Sequence, residues 1–249
     1  MGEREDPIRY GLVSDIHGNW EALSAVLTHL REERVGSILC LGDVVGYGAD
    51  PVPCLEEITR VASVVVAGNH DHAAAGLLDY DWFNPFARVA ARWTASQLSR
   101  RAVSVIQDLP LVQAVGDATL VHASPVDPPA WDYLIDREDG LAAFKSYTTR
   151  LCFIGHSHLP AVWSLGPEGH HFSRAMTSIN LDPGTRYLIN VGSVGQPRDG
   201  DPRASCAVWD SDAGRVEIHR VPYDIKTAQS KIRAAGLPRL LADRLAHGS

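Results

Sequence analysis

Val64-Val65-Val66-Ala67-Gly68-Asn69-His70-Asp71 is the stretch on which the reading of the fold turns. A short apolar run rich in β-branched residues and bounded by turn chemistry predicts a buried strand, and Gly68 permits a sharp turn where it ends. An amide, an imidazole and a carboxylate then follow one another at the strand's exit. Polar groups in that place are costly to explain as packing, whereas open α/β sheets put their ligands there.

The same construction recurs on both sides of this stretch. Upstream, Ile8-Arg9-Tyr10-Gly11-Leu12-Val13 delivers Ser14-Asp15-Ile16-His17-Gly18-Asn19, and residues 37–41 deliver Gly42-Asp43-Val44-Val45-Gly46-Tyr47-Gly48. Downstream, residues 118–121 lead to His122-Ala123-Ser124-Pro125, and residues 151–154 lead to Gly155-His156-Ser157-His158. Leu23, Val26, Leu27 and Leu30 recur at helical spacing and predict a helix over 20–34, and residues 53–61 read as a second. Alternation along an extended backbone would set Asp15 beside His17, and His156 beside His158, on one side of the chain. Each motif alone has a bland reading: Asp15 or Asp43 caps a loop or helix, Asn69 and His70 make a turn, and one histidine at a strand end signifies little. Their recurrence at one sheet edge argues for a site.

From 73 to 116 the pattern turns helical. Asn84-Pro85 reads as a cap followed by a first-turn proline, with Phe86, Val89, Ala90 and Trp93 on one face and Arg88 and Arg92 opposite. This insertion is expected to border the site, with its aromatics, Trp82 and Phe83 included, in the core and its arginines in solvent. Residues 131–147 read as another short helical passage. The remainder is read as mostly β, with strands at 161–165, 186–191, 205–210 and 215–221 and turns at Asp182-Pro183-Gly184 and Asp212-Ala213-Gly214. Between them the polar, glycine-rich segment 190–198 is expected to form a loop near the site. Helix signals resume at Lys226 and are broken by Gly236 and Pro238.

A chain of 249 residues, 45% of them hydrophobic, can bury a full core, and one domain over 1–249 is expected, with the insertion as a cap. No run approaches the roughly 20 apolar residues of a membrane span, and the charged start, Met1 to Asp6, is not followed by a signal-type apolar segment, so a soluble cytoplasmic protein with no membrane partner is expected. Cys40, Cys54, Cys152 and Cys206 are far apart with no CxxC spacing and read as reduced, structural thiols. A net charge of −7 argues against a nucleic-acid polymer as partner. It leaves room for a small phosphorylated substrate, a nucleotide included, where bound metal supplies local positive charge. Nothing in the sequence sets the oligomeric state.

Gathering the strand-end groups yields Asp15, His17, Asp43, Asn69, His122, His156 and His158, with His70 left over. That many oxygen and nitrogen donors exceed one tetrahedral ion and suit two divalent ions of about five or six coordination, while the lack of thiolate disfavours structural zinc. Such ions would leave a positive pocket even after Asp15 and Asp43 offset part of their charge.

The order DxH, GD, GNHD, H, GHxH, running from Asp15 to His158, resembles the calcineurin-like metallophosphoesterases. Gly46-Tyr47-Gly48 and residues 188–198 are similar to the bacterial branch of YfcE-type phosphodiesterases and diadenosine tetraphosphatase-like proteins. The resemblance implies an α/β (α+β) four-layer sandwich, two central β-sheets flanked by helices. It implies that Asp15, His17 and His158 hold one metal, that Asn69, His122 and His156 hold the other, and that Asp43 bridges them. His70 would face the phosphate and protonate the leaving oxygen, with Asp71 fixing its orientation. The implied reaction is attack of a metal-activated hydroxide on a phosphodiester or a phosphoanhydride of dinucleoside polyphosphate type, with two ions drawn from Mn, Fe, Zn, Ni or Co and Mn the first choice in vitro. The alternatives are a phosphomonoesterase or protein phosphatase, or a metal-binding scaffold without turnover; the complete donor set with His70 favours an enzyme. One feature departs from the protein phosphatases: Gly46-Tyr47-Gly48 stands where a second acid followed by Arg-Gly is usual, which removes a phosphate-binding arginine. His72, His170 and His171 read as surface or loop residues, and Tyr47, Arg198 and Arg203 stand open between substrate contact and a structural or solvated role.

Overall fold

The computed structural model describes residues 9–249. Met1 to Asp6 and Ile8, where the first strand was expected to begin, lie outside the described residues. The first half runs β1 (Arg9–Val13), α1 (Trp20–Glu32), β2 (Ser37–Cys40), α2 (Pro51–Val61), β3 (Ala62–Val65), α3 (Asn69–Ala74), α4 (Pro85–Gln97), α5 (Arg100–Gln107), β4 (Val112–Val115) and β5 (Ala118–Val121). It continues with α6 (Arg137–Ala143), β6 (Leu151–Ile154), β7 (Ala161–Gly166), β8 (Gly169–Ser173), β9 (Ser178–Asn180), β10 (Arg186–Asn190), β11 (Ala204–Asp210), β12 (Arg215–Val221), α7 (Ile225–Ala234) and α8 (Arg239–Asp243).

The strands form two six-stranded sheets, ordered β3-β2-β1-β11-β12-β9 and β4-β5-β6-β10-β7-β8. Because side chains alternate across a strand, each central strand supplies two cores. Leu12, Leu39 and Trp209 of the first sheet meet Leu120, Phe153 and Ile189 of the second between the sheets. Their neighbours Val13, Cys40 and Val208 face outward onto Leu23, Val26 and Leu30 of α1, Ile58 of α2 and Ile106 of α5. On the far side of the second sheet, Cys152, Ile154 and Trp163 cover Ala143 and Phe144 at α6. The result is the expected α/β sandwich of helices, sheet, sheet and helix. All four cysteines are buried and free, and burial pushes the Cys206 thiol up to about 12.

In the first sheet β1, β2 and β3 run parallel, and in the second β5, β6 and β10 do. Parallel neighbours end at the same edge, so the polar stretches that follow β1, β2, β3, β5 and β6 are brought together.

Several local expectations are corrected. Residues 73–116 are not helical throughout: they end in β4, which pairs antiparallel with β5. Asn84 caps α4 as expected, its side chain accepting from the N–H groups of Phe86 and Ala87, but the buried face is Ala87, Ala90, Ala91 and Thr94. Phe86 and Val89 are exposed. The small alanines win because they let α4 share a cluster with Ala228, Ile232, Leu237 and Leu241 of the C-terminal segment. Phe83 is buried as expected, whereas Trp82 is 79% exposed. Only α6 is an α-helix within 131–147, and β8 and β9 were not anticipated.

Candidate metal centre

The loops that carry the motifs are laced together by their backbones. The N–H groups of Asp15 and His17 donate to the carbonyls of Gly42 and Asp43 at 3.0 and 2.9 Å, and that of Gly155 donates to His122 O at 2.9 Å. Extended alternation does not place these side chains, however. Asp15, His17, Asp43, His156 and His158 all have positive φ, between 50° and 66°. Left-handed backbone at non-glycine residues is costly and gathers at functional sites. The residues come together as expected, by this geometry and not by strand alternation.

Two groups of donors result. In the first, His17 Nε2 lies 3.1 Å from His158 Nε2, and Asp15 Oδ1 lies 3.3 Å from His158 Nε2. In the second, His122 Nε2 lies 3.2 Å from His156 Nδ1 and 3.3 Å from Asp43 Oδ2. The same Asp43 oxygen stands 3.6 Å from His17 Nε2, between the two groups. The imidazoles are aimed by backbone carbonyls on their other nitrogens: His17 Nδ1 on Val45 O at 3.2 Å, His122 Nδ1 on Leu41 O at 2.7 Å, and His158 Nδ1 on Gln196 O at 2.5 Å. An Nδ1 proton held in this way leaves Nε2 with its lone pair free to ligate.

Close approach at two glycines makes this assembly possible. A Cβ at Gly68 would stand 2.0 Å from Asp43 Oδ1, and one at Gly155 would stand 1.9 Å from Ser14 Oγ and 2.5 Å from Asp15 Oδ2.

The charges are matched only in part. Burial raises the Asp15 and Asp43 pKa values, but the facing imidazoles, His158 for Asp15 and His122 for Asp43, outweigh it and keep both carboxylates low. Burial pulls His17, His156 and His158 down, His156 to about 3, while at His122 Asp43 and Asp15 overcome burial and lift it to about 9. The carboxylate pair therefore draws positive charge to its midpoint. Asn69 Oδ1 is buried without a hydrogen-bond partner among the described residues, a costly arrangement unless it acts as a ligand. Three imidazoles held neutral, a fourth at His122 whose proton a cation would displace, two anionic carboxylates and an orphaned amide oxygen together fit divalent cations.

His70 and Asp71 behave differently. The His70 N–H donates to Asp43 Oδ1 at 2.8 Å, and its ring is enclosed by Tyr47 and Phe83 at centroid distances of 4.4 and 4.7 Å. Burial lowers His70 to about 4, and its Nδ1 has no partner among the described residues. The Asp71 oxygens accept from the N–H groups of Val45 and Gly68 at 3.1 and 3.0 Å. Asp71 thus fastens the turn that carries His70, and burial together with Asp43 lifts it to about 7.

The glycine-rich loop borders the site as expected. Gln196 supplies the carbonyl under His158, Ser193 Oγ donates to Asp15 O at 2.8 Å, and Asn190 Nδ2 donates to Gly155 O at 2.6 Å. These supports were missed residue by residue; their signal was a run of small and polar residues directly after a strand. Arg198 donates to Gln196 Oε1 at 3.0 Å and lies 5.8 Å over the Tyr47 ring, while Arg203 pairs with Asp201 at 2.6 Å. His72 is half-buried against Trp131, and His170 and His171 sit on β8. A separate group unforeseen from sequence is His29, Glu33 and His219: the imidazoles are 2.9 Å apart, Glu33 pairs with Arg9 at 3.2 Å, and His219 Nε2 is buried without a hydrogen-bond partner among the described residues. Beside the centre, a cavity of about 300 Å³ opens past Asn69, His70 and His156.

The calcineurin-like phosphoesterase superfamily domain matches residues 8–214. An uncharacterized protein of Methanocaldococcus jannaschii is 40% identical over 239 residues, covering 94% of this chain and 96% of its own length. The crystal structure of a metallophosphoesterase from Sphaerobacter thermophilus is similar with a TM-score of 0.85 and 41% identity, covering 98% of this chain and 100% of the other. That of a hypothetical protein from Pyrococcus horikoshii shares the fold with a TM-score of 0.78 at 20% identity, covering 97% and 99%. With that family matched over residues 8–214 and a relative 40% identical over nearly the whole chain, the chain belongs to the calcineurin-like phosphoesterase superfamily, as a metal-dependent phosphoesterase.

Proposed function

We propose that this protein hydrolyses a phosphodiester or phosphoanhydride bond of a small substrate at a dinuclear divalent-metal centre, with Mn the first choice of ion in vitro. The observation that carries the proposal is the pair of donor groups meeting at Asp43 Oδ2, 3.6 Å from His17 Nε2 and 3.3 Å from His122 Nε2. Asp15, His17 and His158 would hold one ion, Asn69, His122 and His156 the other, with Asp43 between them. When bound, such ions supply Lewis acidity that activates water and neutralises charge developing on the phosphoryl oxygens.

The chain's own groups do the rest. The carbonyls of Leu41, Val45 and Gln196 keep each Nε2 directed inward, so the donor cage is formed before substrate arrives. His70 faces the cavity and gives a proton to the leaving oxygen. Burial alone holds its proton weakly, and the negative phosphoryl group of the substrate raises its affinity for one. Asp71 keeps the turn in place by accepting from the N–H groups of Val45 and Gly68. Phe83 and Tyr47 shield the His70 ring from water.

A diester or anhydride is favoured over a monoester because the cavity beside the centre offers room for a substituent beyond the reacting phosphate. We take residues 1–249 as one domain with 73–116 as its cap, working in the cytoplasm, a setting that suits four buried free thiols. The test is a panel of bis-para-nitrophenyl phosphate, para-nitrophenyl phosphate, diadenosine tetraphosphate and a phosphopeptide, run with Mn²⁺ and with chelator. Metal-dependent turnover highest on the diester or the dinucleotide is expected. Turnover confined to the monoester or the phosphopeptide, or no turnover at all, would contradict the proposal.

A further inference from the structure

The cavity next to His70 has walls that phosphate chemistry does not require. The insertion contributes Trp82, from the 3₁₀ turn Tyr80–Trp82, and the opposite wall is Trp131 and Tyr133, just beyond the turn Pro128–Ala130. Asn69, His70 and His156 form the end that adjoins the donor cage. We propose that this cleft is a subsite for an uncharged aromatic ring, a nucleobase or an aryl group of similar size, carried by the substrate beyond the reacting phosphate. The inference rests on the phosphoesterase reading and names the substrate class of that site.

Four observations support it. Trp82 is 79% exposed and Tyr133 53% exposed, so neither ring is committed to the core and both leave apolar surface available at the mouth. Tyr133 stacks on His156 with centroids 4.1 Å apart and planes 23° apart, which shows that flat rings pack face to face in this cleft. Trp131 is held with φ at 57°, a left-handed conformation costly for an aromatic residue, and its indole stands edge-on to His72 at 5.2 Å and to His122 at 6.0 Å. The fourth is charge. Among the described residues no lysine or arginine lines the cleft, and Asp132 does, so further phosphates are repelled from it.

Polar readers for a ring edge are present as well. Asn84 uses Oδ1 to cap α4, which leaves its Nδ2 hydrogens for a ligand, and the Asp132 carboxylate can accept from a ring amino group. A volume of about 300 Å³ lies at the small end of ligand sites, suited to one ring system and its sugar and not to a peptide.

The test compares adenosine 5′-monophosphate with ribose 5-phosphate, the same sugar phosphate with and without its base, by isothermal titration into the Mn²⁺-loaded full chain. Wild type is expected to bind the nucleotide on the order of tenfold more tightly, the scale of one base–aromatic stack. Trp82→Ala and Tyr133→Ala should each shrink that ratio by roughly threefold or more while leaving ribose 5-phosphate affinity unchanged, and Trp82→Phe should keep it. Equal affinities in wild type, or a ratio preserved in both alanine variants, would overturn the subsite. A retained nucleotide preference without hydrolysis of bis-para-nitrophenyl phosphate would sink the phosphoesterase reading and leave the subsite standing. Hydrolysis with equal affinities would do the reverse.

Discussion

Asp43 Oδ2 lies 3.3 Å from His122 Nε2, joining the exit of β2 in one sheet to the exit of β5 in the other. Because that oxygen also faces His17 Nε2 at 3.6 Å, its charge serves both donor groups. Asp43→Asn should therefore lower metal content below two ions per chain by elemental analysis after dialysis. Full occupancy in the variant would remove Asp43 from the bridging role.

His70 lies within reach of His17 and Asp43, yet its ring packs between Tyr47 and Phe83 along the cavity and both proposed ions have their donors without it, so its loss should spare the metal. His70→Ala is expected to keep its metal content and to lose roughly 10²-fold or more in turnover of bis-para-nitrophenyl phosphate, the scale of a positioned proton donor. Unchanged turnover would take His70 out of the chemistry.

Gly68 is required by contact and not by the turn conformation expected of it, since its φ of −105° is open to any residue. A methyl group there meets Asp43 Oδ1 at 2.0 Å and Asp43 N at 2.4 Å, so Gly68→Ala must push the β2 loop away from the β3 turn. Metal content and thermal midpoint should both fall, by elemental analysis and calorimetry. A variant with wild-type metal content would show that the loops can part without cost.

The four-layer packing makes a paired stability prediction. Phe153, fully buried between the sheets, should cost about 3–5 kcal/mol on truncation to alanine. Phe86, exposed on α4, should change stability by no more than about 0.5 kcal/mol under the same substitution. Denaturant unfolding of the two variants measures the difference, and similar losses would mean that α4 is turned otherwise.

The site was legible because each motif is a short polar run just after a buried strand, and parallel strands bring such runs to one edge. The conformation that aims them was not: alternation suggested extended backbone at Asp15, His17, His156 and His158, whereas all four are left-handed. Helical periodicity located α4 and its Asn84 cap, yet hydrophobicity misassigned the buried face, since Ala87, Ala90 and Ala91 are buried for their small size while Phe86 and Val89 stay in solvent. β8 escaped notice because Gly169-His170-His171-Phe172-Ser173 is polar and lacks a fully buried residue, so its pairing with β7 leaves little trace in the pattern. Trp82 misled for a related reason: its hydrophobicity suggested core, whereas the indole lies exposed along the cleft beside His70.

The central claim is that folding gathers the two donor groups around Asp43 into a single cage for two neighbouring ions. Electron paramagnetic resonance of the Mn²⁺-loaded protein, with the metal content of the same sample counted, addresses it most directly. The account predicts two ions per chain whose spins are coupled to each other. One ion per chain, or two that give uncoupled spectra, would contradict it.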